Sequence, residues 1–360
     1  MSETPAATAV DTTTTLAEEP RGRTGAARLL LSRDAVLLTI LVLFLLFASL
    51  TLPRFASTVT VGFLLLDVIP ILLIALPMTY VILTGEIDLS VASIVGLTSA
   101  SLGVLWQAGW DIGAAIAVSI LIGTIAGAVN GALVAFVGLP SLAVTIGTLA
   151  LFRGAALVII GDNAVANFPP ELTAFFTSKI GGTGIPTVMI GVVLIAIAFG
   201  IVLHFTPVGR SLYAIGFSKE AASFVGIHVA RTKFWLFVTS GLISSFVGIY
   251  WTLRYSSARS DNASGLELAI IAAVLLGGVS IFGGRGTIPG VIGGVLLIGS
   301  INYALRLQRV SDVVLIIITG SLLIISVVGP SVFAALSTWR HRRRVAHEHP
   351  LASRPGSSRA

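Results

Sequence analysis

The chain has 360 residues, of which 55% are hydrophobic and only 11% are charged, and its mean hydropathy is +1.00. Soluble domains carry about a quarter charged residues, so this composition excludes an ordinary soluble protein and indicates a membrane protein. The absence of cysteine excludes disulfides, thiolate metal ligands and thiol catalysis. His204 and His228 are far apart and the other three histidines lie in the polar tail, so we expect no metal site, and no cofactor is expected either. The net charge of +6 comes from basic residues beside apolar segments, which indicates membrane orientation rather than nucleic-acid binding.

Apolar segments recur between residues 35 and 335, and each is about long enough for a helix to cross a bilayer. In lipid only helices or closed barrels satisfy every backbone polar group, and these runs are too long for barrel strands. The sequence therefore predicts an all-α protein, a polytopic membrane helical bundle of about ten transmembrane helices. The predicted spans lie near residues 35–52, 59–84, 91–108, 112–137, 141–160, 187–206, 234–252, 267–282, 287–305 and 312–332.

Polar segments flank the predicted membrane domain. Residues 1–34 lack apolar periodicity and are predicted to be a disordered lead, and residues 336–360 are predicted to be a basic, disordered cytoplasmic tail. Positive charges concentrate on the cytoplasmic side of membrane proteins, and the larger basic set lies inside when both termini are cytoplasmic. The connection 207–233 is then a long cytoplasmic loop. The external connection 161–186 is predicted to carry a short interfacial helix.

The cytoplasmic loop contains the pattern of a short helix. Ser218 is predicted to cap a helix that runs through Phe224, with an acidic residue in its first turn and a glycine as its stop. The two alanines of this helix are expected to be exposed, and they are small enough for a partner's groove to close over them. An ordinary solvated connector is the alternative. The residues assigned to partner contact are Glu220, Ala221, Ala222 and Gly226.

Residues 84–93, "TGEIDLSVAS", place two carboxylates, Glu86 and Asp88, between apolar segments. A carboxylate that faces lipid costs at least about 2.5 kcal/mol, so that placement is disfavoured. Asp88 or Ser90 is expected to cap the following helix, whose first N–H groups need acceptors. Alternatively, the chain breaks within the membrane and lines a water-filled cavity. Direct contact with a solute and a switch between helices also remain open.

A few polar residues lie within or near the other predicted spans. Asp67 is the most costly of them in mid-span and is the first candidate to line a cavity. For Asn130 and Thr145, hydrogen bonding between helices is an equally good interpretation. No "GxxxxGK[ST]" phosphate loop occurs in the chain, so energy for uphill transport must come from an ion gradient or from a partner. The candidates to line a pathway are Asp67, Asn130, Thr145 and Glu267.

Two stretches resemble motifs of a known family. Glu-Ala-Ala from residue 220, followed by Gly226, resembles the "EAA…G" element of ABC importer permeases. Residues 84–93 resemble the block "TGGIDLSVGS" of the monosaccharide (ribose, xylose, rhamnose and autoinducer-2 type) permease family, with Glu86 and Ala92 where that block has glycines. The resemblance covers roughly residues 35–335. The motif residues kept at the helix junction are Gly85, Asp88, Leu89 and Ser90.

This resemblance implies a multi-pass permease subunit in a bacterial plasma membrane, surrounded by lipid. It further implies a separate ABC ATPase that docks on the 207–233 loop, and an external binding protein that delivers the sugar. A second permease copy or a paralogue would complete the pathway. No covalent chemistry is expected on this chain, so it is expected to be a transport subunit and not an enzyme.

Two alternatives remain at this point. A branched-chain amino-acid ABC permease would share the mechanism but would need a receptor for a carboxylate, and the lack of a convincing mid-span Arg or Lys favours a sugar. An ion-coupled secondary transporter would use intramembrane acids as ion sites. Those acids would be Asp67, Glu86, Asp88 and Glu267.

Overall fold

The computed structural model describes residues 33–311 and 313–328; the predictions for residues 1–32 and 329–360 lie outside the described residues. The described chain is helical, and its β pairing is limited to two isolated bridges. In chain order the helices are α1 Arg33–Thr51, α2 Thr58–Leu83, α3 Val91–Gln107, α4 Ile112–Ala135, α5 Ser141–Ile160, α6 Pro170–Thr177, α7 Met189–Phe205, α8 Pro207–Phe217, α9 Lys219–Phe224, α10 Val229–Tyr255, α11 Leu266–Leu276, α12 Ile288–Leu307 and α13 Val313–Val328.

Each of the ten predicted spans contains an apolar helix, which confirms an all-α membrane bundle. The count of ten spans is approximate. Within the described chain, six helices are long and apolar enough to cross a membrane, and α7 with α8 makes a seventh candidate that bends by 67°. Three further apolar helices, α3, α11 and α13, are shorter. The apolar run predicted a longer helix than α11, because the residues that follow Leu276 are apolar or glycine but are not helical.

Helix α2 lies at the centre of the bundle and packs against α10, α11 and α12. It is apolar on all sides, as expected of a helix that is buried all round. Pro70 and Pro77 lie inside it, and a proline leaves the carbonyl four residues earlier without its helical partner. At Pro70 that carbonyl belongs to Leu66, and it accepts hydrogen bonds from Tyr250 Oη (2.8 Å) and Arg254 Nη1 (2.7 Å) instead.

Glycines bring the backbones of α4 and α10 into direct contact. A Cβ built on Gly127 would lie 2.9 Å from Cα of Gly241, and a Cβ on Gly241 would lie 2.8 Å from Cα of Gly127. Real Cβ atoms essentially never approach backbone this closely. Close packing of small residues is the usual way in which membrane helices associate, because lipid leaves little hydrophobic driving force between them.

We expect Gly127→Ala to destabilise the bundle by about 1–3 kcal/mol, because α4 and α10 must separate to admit the methyl group. The measurement is thermal unfolding of the purified protein in detergent. Gly191→Ala is the control, since it is also a glycine-to-alanine change in a helix but has open space around its Cβ. Equal unfolding temperatures for the two variants would contradict the close contact.

Between α7 and α8 the chain turns sharply at Thr206, which has an extended backbone (φ −114°, ψ 161°) as residues before proline prefer. We call the end of the bundle that carries α8 and α9 the proximal end. The opposite end, where α10 finishes and α11 begins, is the distal end. Helix α6 lies in the connection 161–186, which confirms the short helix predicted there.

The connection between α11 and α12, here called the glycine loop (residues 277–287), folds against the proximal end of α2. Gly283 and Gly284 have positive φ angles of 85° and 72°, a conformation that other residues rarely adopt. The backbone N–H of Gly284 donates to the carbonyl of Leu83 (2.9 Å), and a Cβ on Gly216 would lie 2.9 Å from Cα of Gly284. Helix α8, the glycine loop and the end of α2 therefore form one packed layer.

Candidate functional site at the proximal end

The stretch Thr84–Ser90 is a non-helical turn between α2 and α3, here called the acidic turn. Thr84 closes α2, with its backbone N–H directed to the carbonyls at the end of that helix. Gly85 follows with φ +76°, so the chain leaves the helix at a residue without a side chain. Most of the turn is buried beneath the surface of the proximal end.

Asp88 is fully buried and accepts three hydrogen bonds. Its Oδ1 accepts from the backbone N–H of Ser90 (3.0 Å) and from Ser90 Oγ (2.6 Å), and its Oδ2 accepts from Ser240 Oγ of α10 (2.8 Å). Ser90 is the N-cap of α3, but its side chain makes no capping bond. Of the interpretations left open by the sequence, structural use at the start of α3 agrees best with this geometry.

Asn130 and Thr145 meet at the same turn from two other helices. Asn130 Nδ2 of α4 donates to Ser90 Oγ (2.7 Å), and Thr145 Oγ1 of α5 contacts the carbonyl of Ile87 (3.3 Å). The backbone N–H of Ile87 donates to Ser141 Oγ (3.1 Å). Both predicted residues are fully buried, so in this conformation they connect helices and do not line an open passage.

Glu86 forms a buried ionic cluster that the sequence did not predict. Its Oε1 lies 2.6 Å from Lys233 Nζ of α10 and 2.9 Å from Lys219 Nζ of α9. Burial raises the pKa of the Glu86 carboxyl, but hydrogen bonds from Lys233, Ser141 and Lys219 outweigh burial and lower the pKa below its ordinary value. Glu86 is therefore ionised, and its ion pair with Lys219 holds α9 against the acidic turn.

Helix α9 forms as predicted. Ser218 Oγ accepts from the backbone N–H of Ala221 (3.1 Å), which is the expected N-cap bond, and Gly226 ends the segment with φ +84°. The expectation that both alanines are exposed is wrong for Ala222, which is buried because one side of this short helix packs on α8 and α10. Glu220 and Ala221 are exposed.

Bulky apolar side chains project around α9 instead. Phe224 is 91% exposed and Val225 is 75% exposed at the end of α9, and Phe282 of the glycine loop is 85% exposed. Phe217 at the end of α8 is also exposed, and its ring lies close to Gly284. A cleft of about 840 Å³ lies beside α9, with Glu86 and Lys219 in its wall. The proximal end thus presents apolar projections and a cleft.

The two remaining predicted residues lie elsewhere. Asp67 is at the distal end, where it forms ion pairs with Arg254 and Arg306, the latter at 3.5 Å. Glu267 is in the first turn of α11, and its Oε2 is buried without a hydrogen-bond partner. The structure therefore brings Asp88, Asn130 and Thr145 together and separates them from Asp67 and Glu267.

A multi-helix apolar bundle with buried polar junctions and a short exposed helix at one end is the architecture of a polytopic membrane protein, and it agrees with that of a transport subunit. The family described as "branched-chain amino acid transport system / permease component" matches residues 60–327. The chain belongs to this family of ABC importer permeases, on its monosaccharide-type branch, and is a multi-pass protein of the inner membrane.

Individual relatives agree with the family. The autoinducer 2 import system permease protein LsrD of Photorhabdus temperata is 34% identical over 320 residues, which cover 86% of this chain and 96% of that protein. LsrD of Salmonella typhi is 33% identical over 326 residues, which cover 88% of this chain and 98% of that protein. No solved structure matches the chain significantly.

Proposed function

We propose that this chain is the permease subunit of an ATP-driven importer for a monosaccharide or a similar small polyhydroxylated solute of the autoinducer-2 kind, here called a polyol. A separate ABC ATPase drives the cycle from the proximal end, and an external binding protein delivers the cargo at the distal end. A second copy or a paralogue completes the pathway. The observation that carries the proposal is α9, a capped and exposed helix whose Lys219 is ion-paired to Glu86 in the buried acidic turn.

The contacts of α9 explain how a partner acts on the bundle. Glu220 and Phe224 face outward for docking, while the neighbouring Lys219 faces inward to Glu86. The acidic turn is itself hydrogen-bonded to α4, α5 and α10 through Asn130, Thr145 and the Ser240–Asp88 contact. A displacement of α9 by a partner therefore reaches several helices through a short chain of polar contacts.

Charge distribution supports a cytoplasmic proximal end. If each predicted span crosses the membrane once, the basic residues of both terminal segments lie on the same side as α8 and α9. Positive charges concentrate on the cytoplasmic side, so that side is the cytoplasm. The cargo assignment follows from similarity to permeases named for autoinducer 2 import. An amino-acid cargo is less favoured, because these relatives, which match most of the chain, are named for autoinducer 2 import.

We expect Glu220→Lys to abolish ATP-driven uptake in proteoliposomes that contain the permease, its ATPase and its binding protein, while the ATPase still hydrolyses ATP. The reason is charge reversal on the docking face. Gly226→Leu should act similarly, because leucine at φ +84° costs about 1–2 kcal/mol and distorts the end of α9.

Glu171→Lys is the matched control for this test, since Glu171 is also an exposed acidic residue in the first turn of a short helix but lies in α6. Normal uptake by both the Glu220 and Gly226 variants would refute docking at α9. Uphill accumulation by the permease without any ATPase would refute the proposed function as a whole.

A further inference from the structure

A second cavity, of about 530 Å³, opens at the distal end between α2, α10, α11, α12 and α13. Its size is within the range that accommodates small ligands. None of the motif residues of the acidic turn lies in its wall. It is here called the distal cavity.

The walls of the distal cavity combine aromatic faces with hydrogen-bonding groups. Trp251 and Tyr255 stand side by side on α10, with ring centroids 5.6 Å apart, and Tyr303 of α12 contributes a third ring. Aromatic rings suit the apolar C–H faces of a sugar-like ring, and convergent polar groups suit its hydroxyls. The polar groups include Asp67 and Asn302.

Two polar groups in this region have fixed positions. Arg254 is held by the carbonyl of Leu66, which Pro70 has freed from the helix, and by Asp67. Asp67 also contacts Arg306, so its negative charge is compensated before any ligand enters. A second lining carboxylate, Asp261, pairs with Arg259 at 2.7 and 2.9 Å. Both lining carboxylates are thus paired with guanidinium groups, and the wall carries three arginines for two aspartates, so a cationic ligand is disfavoured.

Asn302 places a polar atom without a hydrogen-bond partner beside the distal cavity. It lines the cavity, and its Oδ1 is buried without a hydrogen-bond partner. Buried polar atoms are normally satisfied, because an unpaired one costs about 1–3 kcal/mol. A hydroxyl in the cavity would supply the missing donor after a rotation of the Asn302 side chain, because this oxygen is inaccessible in the present conformation.

We infer that the distal cavity is a subsite on the transport route for a small polyol, held by Asn302 and Asp67 beside the rings of Trp251 and Tyr303. This inference rests on the proposed import function and names the place where cargo first contacts the permease. It also assigns different roles to the two ends of the bundle: the ATPase acts on the proximal end, and the solute enters at the distal end.

The chain contains no cysteine, so a single introduced cysteine can report on occupancy of the cavity. Ala269 lines the cavity, and Ala269→Cys is a small change there; Ala174→Cys, on the exposed face of α6, is the matched control. The full-length permease in nanodiscs is labelled with a maleimide in the presence of autoinducer 2, D-ribose or L-leucine. At about ten times its dissociation constant a polyol should slow labelling at residue 269 roughly tenfold and leave residue 174 unchanged.

Protection of residue 269 by L-leucine and by neither polyol would overturn the ligand class. Absence of protection by all three would overturn the subsite. Uptake by the complete transporter gives the second readout: Asn302→Leu should lower uptake at least tenfold without lowering ATP hydrolysis, because the buried acceptor is lost. If the unaltered transporter imports a polyol with ATP but neither readout responds, the distal cavity is excluded and the proposed function stands. If the unaltered transporter imports no polyol, the proposed function is refuted, and the inferred subsite is refuted with it.

Discussion

Replacing Glu86 with alanine is expected to lower the free energy of unfolding by about 3–5 kcal/mol, because it leaves the buried Lys233 ammonium without its counterion. Lys219 is half exposed and regains water, so its lost contact contributes little to this figure. Equilibrium unfolding in detergent micelles measures the loss. Uptake should also fall, because α9 is released from the acidic turn.

The double variant Glu86→Ala with Lys233→Met separates the charge from the packing. It removes the orphaned cation and retains an apolar side chain of similar length, so it should recover most of the stability lost in Glu86→Ala. Its uptake should stay low, since Lys219 still has no anchor. Full recovery of uptake would show that the Lys219–Glu86 ion pair does not transmit force, and no loss of stability in Glu86→Ala would contradict the buried cluster itself.

Asp88→Ala is expected to be nearly as damaging. The backbone N–H of Ser90 and the hydroxyl groups of Ser90 and Ser240 all donate to this carboxylate, and each donor left unpaired in a buried site costs about 1–3 kcal/mol. Asp88→Asn should cost much less, because the amide oxygen still accepts from Ser90 and the amide nitrogen can donate to Ser240 Oγ. Unfolding and ATP-driven uptake are measured for both variants.

The comparison of the two Asp88 variants also tests the ion-coupled alternative. If Asp88→Asn unfolds like the unaltered protein but takes up no solute, a negative charge at residue 88 is needed for transport and not for structure. That result would favour coupling to an ion. Uptake by Asp88→Asn close to that of the unaltered protein would assign residue 88 to structure alone.

Local signals in the sequence predicted local structure well. The apolar runs predicted the helices, and Ser218 with Gly226 predicted both ends of α9, because capping depends on residues only a few positions apart. The burial of Ala222 was missed, since it depends on which side of α9 meets α8 and α10.

Contacts over long sequence separation were not predictable from the chain alone. Glu86 is 133 residues from Lys219 and 147 from Lys233, and no local pattern pairs them. Asp67 and Arg254 are separated by 187 residues. The sequence nevertheless carried one indirect signal for the first cluster: Glu86 replaces a glycine of the related motif, and a buried acid introduced there must find a cation.

Helix α2 joins the two ends, because Asp67 lies in its first half and the acidic turn begins where it stops. About 24 Å of helix separates Asp67 from Leu83, the last residue of α2, at 1.5 Å per residue. Pro70 and Pro77 both lie within this interval, and each removes one backbone hydrogen bond, so flexure costs least there. Under the proposed function α2 would link the end that receives the solute to the end that receives energy, and bending at Pro70 and Pro77 would set how strongly one end responds to the other.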